Sequence, residues 1–292
     1  MREITRSVLK FLLGFGVVLV VSALLAPWLF TFLPFKFDRI FRRLIMIGTL
    51  VLVGGLLRER RTSWKSLGLA WQEEGLRFFG SGFWQGVFLV VVLTAIQWAL
   101  GVRFWRLSGV DGWHWIGFFF KGLGAGLLIG LIEESFFRGF LFLTFKDLWN
   151  TKASLVVTNL IYALVHFFPK GHSFTGAQPT VVDSFRLLSA ALTPAPEQWG
   201  MVLAPMAGLF LFGLILSFAF LRTGSLFSAA GIHAGAIFGL KLNRRFAPEI
   251  AEKMNFLSGT KNLYDGVAGL SFLALCVAWF GWRTSLSKKG QP

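Results

Sequence analysis

From about Phe11 to Leu33 the chain carries no charged side chain, and apolar stretches of this kind return along its length. A helix needs roughly 18 or more such residues to cross about 30 Å of hydrocarbon. Inside that hydrocarbon no water can satisfy a backbone N–H or C=O, so only helices and closed barrels can span it. Long, unalternating apolar runs fit helices. Eight candidate spans follow, at about 9–33, 41–57, 79–101, 114–145, 153–168, 200–221, 224–241 and 264–282. The fourth is long enough to tilt or to project beyond the bilayer. The fifth and seventh are short, which suits helices enclosed by the others. The expected fold is all-α: a polytopic membrane protein, a bundle of about eight transmembrane helices, forming one domain over residues 1–292.

Composition agrees. Only 15% of the residues are charged and mean hydropathy is +0.65, against about 25% charged in a soluble domain. The 12 tryptophans suit interfacial belts and packing between helices. A net charge of +15 would suggest nucleic acid in a soluble chain. Here the cations cluster between apolar runs, so the partner they imply is anionic lipid and not nucleic acid. Cys276 stands alone, which excludes an internal disulfide and a cysteine-based metal cluster. Arg2, Arg6 and Lys10 precede an apolar run too long for a signal core, so the start reads as an uncleaved first span.

Lys and Arg divide 14 to 13 between the two faces, with Lys121 and Arg138 inside the fourth span. The positive-inside rule therefore does not orient the chain. An even number of spans puts both termini on one side, taken as the cytosol. Arg58 to Trp71 reads as an interfacial helix or turn. The connection from about 169 to 199 contains an amphipathic turn from Val181 to Leu192, followed by a Pro-Ala-Pro stop.

Within the fourth run stand two adjacent carboxylates, Glu133 and Glu134. A charge near the bilayer centre costs roughly 2.5–3.5 kcal/mol on insertion scales, so the pair demands a structural reason or a function. Arg138, four residues after Glu134, can meet it on one helical face. Glu133 points about 100° away and has no partner built into its own helix. Two of the four histidines, His166 and His233, lie in the fifth and seventh spans, while His114 and His172 fall at a span boundary and in the long connection. One buried histidine alone would read as a hydrogen bond to a carbonyl. Three helices that each carry an acid or imidazole at membrane depth read differently. Brought together, they supply a base, a second proton carrier and an oxyanion donor, the parts needed to split an amide with water. Gly122, Gly126 and Gly130, and again Gly231, Gly235 and Gly239, form small-residue stripes that let helices approach closely. His233 sits away from its own stripe, which leaves the imidazole to face a different neighbour.

These residues resemble the CAAX prenyl protease 2 family, the CPBP or abortive-infection intramembrane proteases. That family's pattern is EExxxR, FxxxH and HxxxN on three successive helices of an eight-span bundle. Glu133, Glu134 and Arg138 match the first motif. Tyr162 to His166 matches the second, with tyrosine in the phenylalanine slot. The third keeps His233 but has Ile237 where asparagine is common. The resemblance covers about 122–240. It implies that Glu133 is the general base, that His166 helps to activate water and that His233 stabilises the oxyanion, with Glu134 and Arg138 holding the architecture. Asn159, on the face of His166, is a candidate to compensate for Ile237. Zinc is an open question: Glu133, His166 and His233 could supply three ligands, but the HExxH helix signature is absent, and a metal-free glutamate mechanism is favoured.

The resemblance implies an intramembrane endopeptidase acting on a membrane-associated or lipid-anchored protein or peptide, in a bacterial inner membrane. The 169–199 insertion, longer than such connections commonly are, is a candidate lid or substrate-choosing surface. A non-catalytic scaffold or bacteriocin-immunity protein is the alternative that Ile237 favours. A proton-coupled transporter would predict internal repeats and broken helices in matching halves, and the sequence has neither.

Overall fold

The computed structural model describes residues 2–59, 68, 73–106, 112–166, 174, 176, 178–192 and 199–289. Among them the regular elements are helical: α1 (Arg2–Phe30), α2 (Phe37–Glu59), α3 (Glu73–Ala99), α4 (Gly112–Glu134), a π-helical segment (Ser135–Phe142), α5 (Leu143–Leu148), α6 (Thr151–His166), α7 (Val181–Leu192), α8 (Trp199–Thr223), α9 (Leu226–Phe246) and α10 (Val267–Lys289). The sole β-type pairing among these residues is one bridge between Arg103 and Glu249. The molecule is a polytopic helical membrane protein.

Among the described residues six helical stretches are long and apolar enough to cross a bilayer: Val8–Phe30, Phe37–Glu59, Glu74–Ala99, Ile116–Leu148, Val202–Thr223 and Val267–Ser285. The two expected spans outside this set are the short ones, and each has a physical reason. The 16 residues of α6 reach roughly 24 Å at 1.5 Å per residue, short of the hydrocarbon thickness. α9 ends in Lys241, Arg244 and Arg245. It is also the most enclosed element, with every residue from Leu226 to Ala236 buried.

Small residues explain that enclosure. Gly126 has Ala234 O at 2.6 Å from where a Cβ would stand, and Gly122 and Gly130 face Phe238 and Ala230 in turn, so α4 runs antiparallel to α9. The second stripe packs elsewhere. A Cβ on Gly235 would lie 1.9 Å from Phe83 O, and Gly82 and Gly86 return the contact, which sets α3 parallel to α9. α9 is thus clasped between two backbones at a separation that hydrocarbon side chains would forbid. The main apolar core continues from this sandwich through Leu89 and Leu93 of α3 to Ile215 and Leu216 of α8 and Leu273 and Phe280 of α10.

The expected single fourth helix is three pieces. After Glu134 the winding widens into the π segment and returns to α-helix at Leu143. Six consecutive residues, Phe137 to Phe142, are buried there, because the segment touches α2, α6 and α9 at once. π-type turns occur preferentially at functional sites.

The amphipathic turn in the long connection is α7. Thr180 caps it, donating from its backbone N–H (2.8 Å) and hydroxyl (2.7 Å) to Asp183. α7 docks on α1: Ser184 donates to Ala23 O at 3.0 Å, and Leu187 and Leu188 pack with Phe37 and Phe41. The interfacial reading of residues 58–71 falls largely outside the described residues, as do His172 and the side chain of His114.

Candidate active site

Glu133 is the penultimate residue of α4, one turn before Phe137. Its Oε2 lies 3.5 Å from His166 Nε2 and 3.9 Å from His233 Nε2. Helices α4, α6 and α9 therefore bring the three ionisable groups to one point. Each imidazole is held from behind. His166 Nδ1 is 2.8 Å from the carbonyl of Tyr162, and His233 Nδ1 is 2.8 Å from Glu134 Oε1. A carbonyl and a carboxylate only accept, so both Nδ1 atoms carry hydrogen and both Nε2 atoms are turned towards Glu133.

The two glutamates differ sharply in environment. Glu134 has no exposed surface, and Arg138 Nη1 donates to its Oε1 at 3.0 Å. Glu133 keeps 24% of its side chain exposed and His166 keeps 25%, so this side of the cluster reaches open space. Even so, the Oε2 atom of Glu133 is itself buried and has no hydrogen-bond partner among the described residues. Its separations from the two Nε2 atoms are too long for direct hydrogen bonds. A buried acceptor facing two ring nitrogens, with an opening beside it, has the polar surroundings an ordered water requires.

Arg138 is fully buried in a cage of acceptors. Its Nη2 donates to Asn159 Oδ1 at 2.9 Å and to Gly213 O at 2.8 Å, and its guanidinium lies 4.9 Å above the ring of Tyr162. Asn159 is buried as well, and its Nδ2 donates to Leu155 O (2.7 Å) and Ser217 Oγ (3.0 Å). Both ends of that amide are committed, so Asn159 serves the arginine and does not face the water position. Tyr162 packs its ring 4.4 Å from that of His166 and 6.1 Å from that of His233. Ile237, one turn after His233, is half-buried and apolar.

Helix α8 was not among the expected contributors. It supplies Gly213 and Ser217 to the arginine network and Phe212, whose ring lies 5.8 Å from that of His233. A faint signal exists in the sequence: Gly213 and Ser217 are two small residues one turn apart in an otherwise bulky run. Among the described residues no group of three His, Cys, Asp or Glu side chains is arranged to hold a metal ion.

Comparison with known families bears on the same residues. A family model described as type II CAAX prenyl endopeptidase Rce1-like matches residues 114–238. Residues 114–238 are thus similar to that family, over 125 of the 292 residues. At family level the match supports a CAAX-protease-like membrane endopeptidase. No curated protein and no solved structure matches the chain. The matched stretch holds nearly all of α4, the π segment, α5 to α8 and most of α9, and with them Glu133, Glu134, Arg138, His166 and His233. Helices α1 to α3 and α10 lie outside it.

Proposed function

We propose that the protein hydrolyses a peptide bond of a membrane-associated or lipid-anchored protein or peptide, using water activated by Glu133. The observation that carries this reading is the partnerless Glu133 Oε2 facing the Nε2 atoms of two imidazoles anchored from behind. Glu133 takes a proton from the water, and the oxygen bonds to the scissile carbonyl carbon. His166, neutral and anchored on the Tyr162 carbonyl, orients the water. His233, neutral at rest with its proton on Nδ1, takes the water's proton from Glu133 at Nε2 and donates it to the developing oxyanion. The Glu134 carboxylate supports the imidazolium so formed, which then gives that proton up to the leaving nitrogen. The C–N bond breaks as the proton reaches the leaving nitrogen. Water has then been added across the bond and the groups are restored.

Glu134 and Arg138 act through His233, and Asn159 acts through Arg138. The partly exposed side of the cluster, together with the apolar exterior, supports a scissile bond near the membrane surface. The setting proposed is the inner membrane of a bacterium. Reconstituted protein, presented with a panel of lipid-anchored and transmembrane peptides, tests the reading. Glu133→Gln is expected to lower cleavage by roughly 10²–10⁴. Cleavage that survives this substitution would remove Glu133 as the base.

A second reading rests on one observation, the apolar Ile237 beside His233. It makes the protein a scaffold or immunity factor of the same family. In that case Glu133→Gln leaves its biological effect intact.

A further inference from the structure

Helix α8 contains none of the residues the family resemblance assigns, yet it closes a hydrogen-bonded chain that ends on His233. The chain begins at Ser217, whose Oγ exchanges hydrogen bonds with Asn159 (Nδ2 at 3.0 Å, Oδ1 at 3.2 Å). Asn159 Oδ1 takes Arg138 Nη2, Arg138 Nη1 meets Glu134 Oε1, and that same oxygen takes His233 Nδ1. Ser217, Asn159, Arg138 and Glu134 are each fully buried, and His233 nearly so.

Gly213 contributes twice. Its carbonyl accepts from Arg138 Nη2 at 2.8 Å, which steers the guanidinium from the side opposite Glu134. Its missing side chain is equally important. A Cβ there would stand 2.6 Å from Asn159 Oδ1 and 3.1 Å from Tyr162 Cδ1, in the space the network occupies.

We infer that Gly213, Ser217 and Asn159 are positioning residues that fix Glu134 through Arg138 and thereby hold His233 with its proton on Nδ1 and Nε2 towards Glu133. This rests on the proposed hydrolytic site and adds α8 to its machinery. The chemistry is that of an outer shell. An arginine with several acceptors has a fixed plane, a carboxylate bonded to that plane has a fixed lone pair, and an imidazole bonded to that lone pair has a fixed tautomer. Partners that orient a metal-bound imidazole in this way change activity roughly 10–100-fold when removed, and an effect of that order is expected here. With Ile237 in the third motif, no asparagine of this helix shares the orienting task. The Ser217–Asn159 end of the chain carries it from the other side.

The test uses the full-length protein in lipid nanodiscs with ¹⁵N-labelled histidine. Its variants are Ser217→Ala, Asn159→Leu and Gly213→Ala, and a His233→Gln sample assigns the resonance. In wild type the His233 signal is that of one tautomer, protonated at Nδ1. Asn159→Leu and Gly213→Ala are expected to replace it with a tautomer mixture. They should also lower kcat roughly tenfold or more with KM within about twofold. Ser217→Ala, the mildest change, keeps the fold and moves both readouts in the same direction by less. An unaltered His233 spectrum in well-folded Ser217→Ala and Asn159→Leu would overturn the inference. So would a loss confined to KM. If wild type shows no Glu133-dependent cleavage, the hydrolytic reading fails by itself, and the spectrum still decides whether α8 sets the tautomer.

Discussion

Removing Arg138 should cost more than removing both members of its ion pair would suggest, and the structure says by how much. In Arg138→Met the Glu134 carboxylate stays buried with His233 as its remaining partner, while Gly213 O loses its donor and Asn159 Oδ1 keeps only Ser217 Oγ. Breaking a buried pair from one side typically costs about 3–5 kcal/mol. Glu134→Gln is milder, roughly 1.5–3 kcal/mol, because the guanidinium keeps two acceptors at 2.8 and 2.9 Å. The double variant carries neither buried charge, so its loss should fall short of the sum by roughly 2–3 kcal/mol. Reversible unfolding in mixed micelles, read by tryptophan fluorescence, measures all four corners of this cycle. Glu133→Gln is the comparison, since that side chain lies outside the Arg138 network, and its loss should be smaller than that of Arg138→Met. Additivity of the two substitutions within about 0.5 kcal/mol would refute the coupled network.

Two other predictions concern the scaffold. Gly235→Ala sets a Cβ 1.9 Å from the Phe83 carbonyl and must pry α3 from α9, whereas Gly54→Ala points into open space. The first should lose about 1–3 kcal/mol or more and the second almost nothing, by the same unfolding assay. Arg103 is buried and donates to Gln97, to Ala247 O at 2.6 Å and to Lys261 O at 3.0 Å, tying α3 to the segment before α10. Arg103→Met should speed amide hydrogen exchange over residues 247–262 at least tenfold, since each unpaired buried acceptor costs roughly 1–3 kcal/mol; unchanged exchange would show that the tie is dispensable.

Membrane spans and the Glu-Glu-Arg spacing were legible in the sequence because both follow from one-dimensional rules. Hydrocarbon thickness sets a run length, and the helical repeat puts Arg138 over Glu134. The glycine stripes pointed to close helix pairs, and the partners were beyond reach, since a small residue announces an approach without naming its neighbour. Three features had no such signature. The π segment arises where Phe137 to Phe142 meet neighbours on every side, which is a tertiary condition. Asn159 shares a helical face with His166, but its engagement by Arg138 depends on the gap Gly213 leaves on another helix. α8's part in the site likewise required knowing that α6 and α8 are adjacent. The resemblance supplied motifs on α4, α6 and α9 and said nothing of α8.

The proposed function requires Glu133 to make a nucleophile of water in a site that cuts proteins at the membrane. The most direct measurement is quantitative sequencing of protein termini in membranes from cells expressing either wild type or Glu133→Gln at equal abundance. At least one membrane-associated protein should carry a trimmed terminus with wild type and remain intact with the variant. Identical sets of termini in the two membranes would contradict the hydrolytic assignment.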